Sequence, residues 1–166
     1  VLDRRRENVK FLPGVRIPSG IRISSDLPDT VASARVVILA IPSQHLRAAL
    51  RRLKGFPRQR RGTVFVSAAK GLERGSLKRM SEVVREELGT VPLAVLSGPN
   101  IAPEIARGHP ASSVIAASDR RLAAQLQGVM MGDRLRLYTS DDPIGVELGG
   151  ALKNPVAIAA GIGDGL

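Results

Sequence analysis

The chain has 166 residues, 43% hydrophobic and 24% charged, which suits a folded domain with a real core. It has no cysteine, which excludes disulfides, thiolate ligands and a cysteine nucleophile, and no apolar run is long enough for a membrane span. The formal net charge of +10, with 20 Arg against 5 Lys, leaves three readings open: GC-rich codon usage without function, attraction of small phosphorylated anions, or a nucleic-acid surface. The basic residues are scattered and aromatics make up only 2%, so stacking platforms for single strands are scarce.

Residues 1–10 are polar and charged and show no signal peptide. The chain opens on Val1 and breaks off after a helix-like run at Gly161–Leu166, so we expect an internal piece of a longer protein. Residues 35–41 form a β-branched and aliphatic run ended by Pro42, the pattern of a strand buried on both faces. Leu46, Ala49, Leu50 and Leu53 follow at helical spacing, with Gly55 and Pro57 as the stop. A second strand is predicted at 63–67. An amphipathic helix follows through Leu77, Met80, Val83, Val84 and Leu88, then a third strand at 93–96. Strands alternating with helices predict a parallel, doubly wound sheet. Ligands bind such sheets beyond the carboxyl ends of the strands, so the loops 42–44, 69–71 and 97–100 should lie side by side in one cleft. Beyond residue 100 the spacing predicts helices at 101–107, 120–131 and 143–163 and strands at 113–117 and 135–138, with a domain boundary near 140.

Several residues in this frame carry chemistry. Lys153 lies inside an apolar run whose helical neighbours include Gly149, Gly150, Val156 and Ala157, leaving room for a ligand over its ammonium. On a buried surface it would need a partner or a lowered pKa, which suits general acid–base work; alternatively its stem lies on apolar surface with the ammonium in water. Lys70 at the mouth of the sheet can hold a phosphate or substrate anion, or can be a solvated loop lysine. In Ser97-Gly98-Pro99-Asn100, Gly98 permits close backbone approach and Asn100 can cap the next helix; a plain capped turn is the other reading. His45 and His109 are isolated, and no metal site is expected. Asp141-Asp142 reads as an acidic helix start. Pro155 should kink or break the last helix, because it removes the bond to the Ala151 carbonyl. The phosphate-binding pattern G-x-G-x-x-G is absent.

Five blocks, in order, resemble NAD(P)-dependent glycerol-3-phosphate dehydrogenases: Asn8–Gly14, Ala40–Ser43, Ser67–Glu73, Leu96–Ala102 and Gly145–Asn154 running on to Asp164–Leu166. The resemblance implies a partial doubly wound Rossmann-type sheet over residues 1–140 and the start of an all-helical substrate domain over 141–166. The missing glycine pattern would precede Val1, with the rest of the helical domain beyond Leu166. It implies hydride exchange between NAD or NADP and C2 of dihydroxyacetone phosphate, giving sn-glycerol 3-phosphate for glycerophospholipid synthesis in the cytoplasm. It also implies that Lys153 is the proton donor and acceptor, supported by Asn154. Lys70 would be shared by cofactor and substrate, Gly98 and Asn100 would contact substrate, and Pro42 and Ala102 would contact the cofactor. Asn100 and Pro155 depart from the family pattern. A homodimer fits the resemblance, and no nucleic-acid partner is expected. A related two-domain dehydrogenase of 2-hydroxy acids or phosphogluconate is the alternative enzyme, and a basic nucleic-acid-binding module the alternative class. The 166 residues alone are expected to be inactive.

Overall fold

The computed structural model describes residues 2–54 and 62–165; the predicted stop at Gly55 and Pro57 lies outside them. A short helix α1 (Leu2–Arg5) leads into a small antiparallel pair, β1 (Glu7–Asn8) and β2 (Leu12–Arg16). The sequence reading contained neither, because a strand of two residues and one interrupted by Pro13 and Gly14 show no periodicity. Arg6 holds this segment by donating to the carbonyls of Ile17, Pro18 and Ile21. Helix α2 (Leu27–Ala32), also unforeseen, starts at Asp26, whose carboxylate accepts from the Asp29 N–H at 3.0 Å.

The main sheet has five strands in sequential order: β3 (Val36–Leu39), β4 (Val64–Ser67), β5 (Leu93–Ser97), β6 (Ala111–Ala116) and β7 (Leu135–Ser140). Side chains alternate between its faces, as the two-residue period of a strand requires. On one face, Val37, Leu39 and Phe65 pack with Leu46 and Leu50 of α3 (Ser43–Arg51) and Val83 and Val84 of α4 (Met80–Leu88). On the other, Val66, Ala94, Ile115 and Leu137 pack with Ala123 and Leu126 of α6 (Arg120–Met130). The predicted stripe Leu46, Leu50 and Leu53 is fully buried. Leu77, by contrast, is exposed and lies before α4 with φ +57°. Leu72 and Arg79 pair across the loop there, so the helix begins only at Met80.

Strands β3, β4 and β5 run parallel, as expected, but β6 is antiparallel to β5, and β7 follows β6 in parallel. The reason lies in α5 (Ala102–Ala106), the only helix described between β5 and β6. Five residues of helix span roughly 7 Å, too short to carry the chain back along a strand for a parallel return. The chain therefore re-enters the sheet from the end at which β5 leaves it. This places the first half of β6 beside the carboxyl end of β5.

The last helix, α7 (Pro143–Asp164), packs against β5. Asp142 caps it by accepting from the Gly145 N–H at 2.9 Å, whereas Asp141 pairs with Arg120, so only one of the two acidic residues serves the helix start. Pro155 neither ends nor breaks the helix, which runs continuously through it. The kink or break was expected because proline denies the Ala151 carbonyl its N–H partner, yet the one lost bond does not end the helix, and Pro155 itself lies on its exposed side. Beyond Lys153 the helix shows apolar side chains to solvent, with Val156 and Ile158 each 65% exposed. Among the described residues no helix is long and apolar enough to cross a membrane.

Candidate functional site

The carboxyl ends of β3, β4 and β5 bring the three predicted loops together. Gln44, in the first turn of α3, donates to the Leu72 carbonyl at 2.8 Å and accepts from the Arg74 N–H at 3.0 Å. Gly71 has φ +112°, a conformation side chains rarely adopt, and a Cβ there would lie 3.1 Å from Ser43 Oγ. The chain can thus turn sharply beside the first loop only with glycine at 71. Lys70, just before it, is half-buried and donates from Nζ to the Gly98 carbonyl at 2.8 Å, joining the second loop to the third.

Gly98 is needed for a different reason. A Cβ there would lie 2.7 Å from the Ser112 carbonyl oxygen and 2.8 Å from Ser113 Cα, both backbone atoms of β6. The close approach follows from the antiparallel return. Asn100 does not cap α5, as the sequence reading expected. Its side chain donates from Nδ2 to Ser113 Oγ at 2.7 Å, and Ser113 can return a bond to Asn100 Oδ1 at 3.0 Å. Ser113 is nearly buried, so this partner competes better than a helix end in water. Helix α5 is left starting at Ile101 without a side-chain cap, and Ala102, its first residue, is exposed. Pro42 is exposed at the start of α3.

Lys153 reaches the same edge from α7. It is exposed, which selects the second of the two readings, a lysine with its ammonium in water. It lies close enough to Lys70 for its charge to depress the Lys70 pKa, although burial of Lys70 is the larger cause. Gly150 makes this possible: its ideal Cβ would sit 2.5 Å from Ser97 Oγ and 3.9 Å from Lys70 Cγ, so the helix rides directly on the end of β5. Gly149 faces open space, whereas the space at Gly150 is taken by Ser97, so of these two glycines only Gly149 leaves room. Asn154 is exposed beside Lys153.

Two lysines brought to the carboxyl ends of the strands place positive charge there, an arrangement that can attract an anion. The carboxyl ends of parallel strands are where such sheets receive a dinucleotide. The glycine turn that would cradle its pyrophosphate is not among these 166 residues.

The sequence reading missed the residues that hold this edge in place. Glu147 on α7 is 8% exposed and accepts from Ser81 N at 2.8 Å, Ser81 Oγ at 2.6 Å and Arg79 Nη1 at 3.0 Å. Its signal was a lone carboxylate in an apolar helix, which demands a partner. Arg47 of α3 grips Glu73, Glu86 and Glu87 at 2.7 Å each, holding the loop after Lys70 onto α3 and α4. These bonds lower the Glu73 pKa to about 2.

Fold and site together define a Rossmann-type α/β domain followed by a helix that returns a lysine to the ends of its strands. Residues 1–123 match the model of the NAD-dependent glycerol-3-phosphate dehydrogenase N-terminus, and residues 142–166 match that of its C-terminus. The chain belongs to the NAD-dependent glycerol-3-phosphate dehydrogenase family. It is 49% identical over 160 residues to the glycerol-3-phosphate dehydrogenase [NAD(P)+] of Moorella thermoacetica, covering 96% of this chain and 47% of the relative. The crystal structure of glycerol-3-phosphate dehydrogenase from Coxiella burnetii superposes with a TM-score of 0.86 at 35% identity, covering 99% of this chain and 50% of that one. The Plasmodium falciparum glycerol-3-phosphate dehydrogenase superposes at 0.85 with 28% identity, covering 99% and 46%. The chain thus spans about half the length of the relatives it matches.

Proposed function

We propose that the protein carrying these residues interconverts dihydroxyacetone phosphate and sn-glycerol 3-phosphate with NAD(P)H, supplying glycerol 3-phosphate for glycerophospholipids in the cytoplasm. The observation that carries this reading is the seat of Gly150 on the end of β5, 3.9 Å from Lys70 Cγ at its ideal Cβ, which brings the helix that carries Lys153 to Lys70, in a chain of this family. Residues 1–140 would form the dinucleotide-binding part and residues 141–166 the start of a helical substrate domain. The nicotinamide supplies the hydride, and the chain's own residues manage charge and proton.

Lys153 is exposed at the cleft and carries the ammonium that can donate to the oxygen at C2 as that carbon is reduced; in oxidation it takes the proton back. Lys70, fixed by the Gly98 carbonyl, presents a second positive charge to substrate and cofactor. Asn154 supports Lys153 from the adjacent helical position. Gly98 and Asn100 line the substrate side, while Pro42 and Ala102 line the cofactor side. A homodimer is part of this reading, and a nucleic-acid role is not.

The test is an assay of the full-length protein with NADH or NADPH against dihydroxyacetone phosphate, a 2-keto acid and a 6-phosphogluconate oxidation run in parallel. Selective reduction of dihydroxyacetone phosphate supports the reading; turnover confined to either of the others overturns it. The 166-residue chain alone should show no turnover in the same assay, since it contains no pyrophosphate cradle to position the cofactor.

A further inference from the structure

Glu147 touches neither lysine, yet it connects the parts that carry them. Its three donors sit on Arg79 and Ser81, at the far end of the segment that begins with Lys70. That segment is itself well braced. Leu72 pairs with Arg79, the Glu73 N–H donates to the Lys78 carbonyl at 2.9 Å, and Glu73 is gripped by Arg47 at 2.7 Å. On α7, Glu147 precedes Gly150 by three residues and Lys153 by six, roughly 9 Å along the axis. The contact of Gly150 with Ser97 cannot set the helix alone, because the Ser97 hydroxyl can rotate away. A carboxylate bonded to a backbone N–H, a hydroxyl and a guanidinium cannot slide without breaking all three.

We propose that Glu147 is a positioning residue: through Ser81 and Arg79 it locks α7 to the segment that starts at Lys70, and so sets the distance between Lys70 and Lys153. This rests on the reading of Lys153 as proton donor. A merely structural Glu147 would contribute to folding and leave the chemical step alone. A positioning Glu147 acts on turnover only while Lys153 is there to be positioned.

The experiment is a double-mutant cycle in the full-length enzyme, with Glu147→Gln, Lys153→Ala and the pair, and with Ser81→Ala as an independent cut of the same clamp. Glutamine keeps the volume and an acceptor for the Ser81 N–H, but loses the ion pair with Arg79. Glu147→Gln should lower kcat by about 10- to 100-fold, the range seen for residues that orient an active group. Dinucleotide affinity should be nearly unchanged, and Ser81→Ala should shift kcat in the same direction by less. The double variant should be no slower than Lys153→Ala alone, since both changes remove one function. A Glu147→Gln enzyme with normal kcat and a lowered Tm makes the residue structural and overturns the proposal. So does a double variant whose loss is the product of the two single losses. If Lys153→Ala itself leaves kcat intact, the proton-donor reading has failed and the positioning role falls with it. If Lys153→Ala is crippled and Glu147→Gln is not, the positioning role alone has failed.

Discussion

The two lysines of the cleft stand on very different supports. Lys70 follows β4, a strand paired on both sides, and its ammonium is tied to the Gly98 carbonyl. Lys153 projects from an exposed stretch of helix whose described ties to the rest of the site are the Glu147 bonds and the close seat of Gly150 on Ser97. A group fixed in the sheet is suited to holding a constant charge. A group on a helix that is pinned at one end can be adjusted relative to it, and it remains open to the solvent from which protons are exchanged. The proposed division of labour between a clamp and a proton donor matches where each lysine is anchored.

The largest expected effect breaks the comparison on the helix side. In the full-length enzyme, Lys153→Ala should lower kcat by at least the ~10²-fold typical of losing a general acid or base. Dinucleotide affinity, measured by fluorescence titration, should hardly move. If nucleotide binding collapses while kcat persists, Lys153 is an anchor, and the two supports do not divide the work as described.

On the sheet side, Lys70→Ala should raise the KM for the phosphorylated substrate roughly tenfold or more, since a charged hydrogen bond contributes about 1.5–3 kcal/mol. The same lysine gives a pH signature. Burial, and then Lys153, hold its pKa below the usual 10.5, so in the free protein it gives up its proton earlier than in the unfolded chain. Stability therefore rises with pH between that lowered value and 10.5, because the unfolded state binds the proton more tightly there. Substrate affinity should fall over the same window, because an anion needs the ammonium. An alkaline KM profile that is flat in wild type but retains the Lys70→Ala defect would refute the charge role.

The smallest effects contrast two glycines. Gly98→Ala should cost about 1–3 kcal/mol of stability by overpacking, because the added methyl meets the β6 backbone, which cannot give way. Gly149→Ala meets nothing within 4 Å and should stabilise α7 by up to about 1 kcal/mol, the difference in helix propensity. Urea midpoints moving in opposite directions would confirm that one glycine is there for space and the other is not; equal shifts would erase the distinction.

Much of the site was legible without coordinates. The runs 36–39, 64–67 and 93–97 announce themselves by aliphatic composition, and their loops must share an edge if they are parallel; the first is not buried on both faces as expected, because β3 is the edge strand of the described sheet and leaves Ile38 50% exposed. Leu46, Leu50 and Leu53 reveal the buried face of α3 by spacing alone. The limits were equally physical. Asn100 has the composition of a cap, but a nearly buried serine 13 residues later claims its amide. Pro155 has the composition of a break, but the helix passes through it.

By itself the sequence determined the periodic elements, the three-loop edge and the presence of a lysine in each half of the site, because these depend on residues within one helix turn or one strand of each other. Only the tertiary structure decided the reversal of β6, which places Ser113 beside Gly98 and Asn100. It also decided the exposure of Lys153 and the bonds from Ser81 and Arg79 to Glu147 across 66 and 68 residues. Such pairings arise when distant segments compete for the same buried polar partner, and spacing along the chain carries no record of who wins that competition.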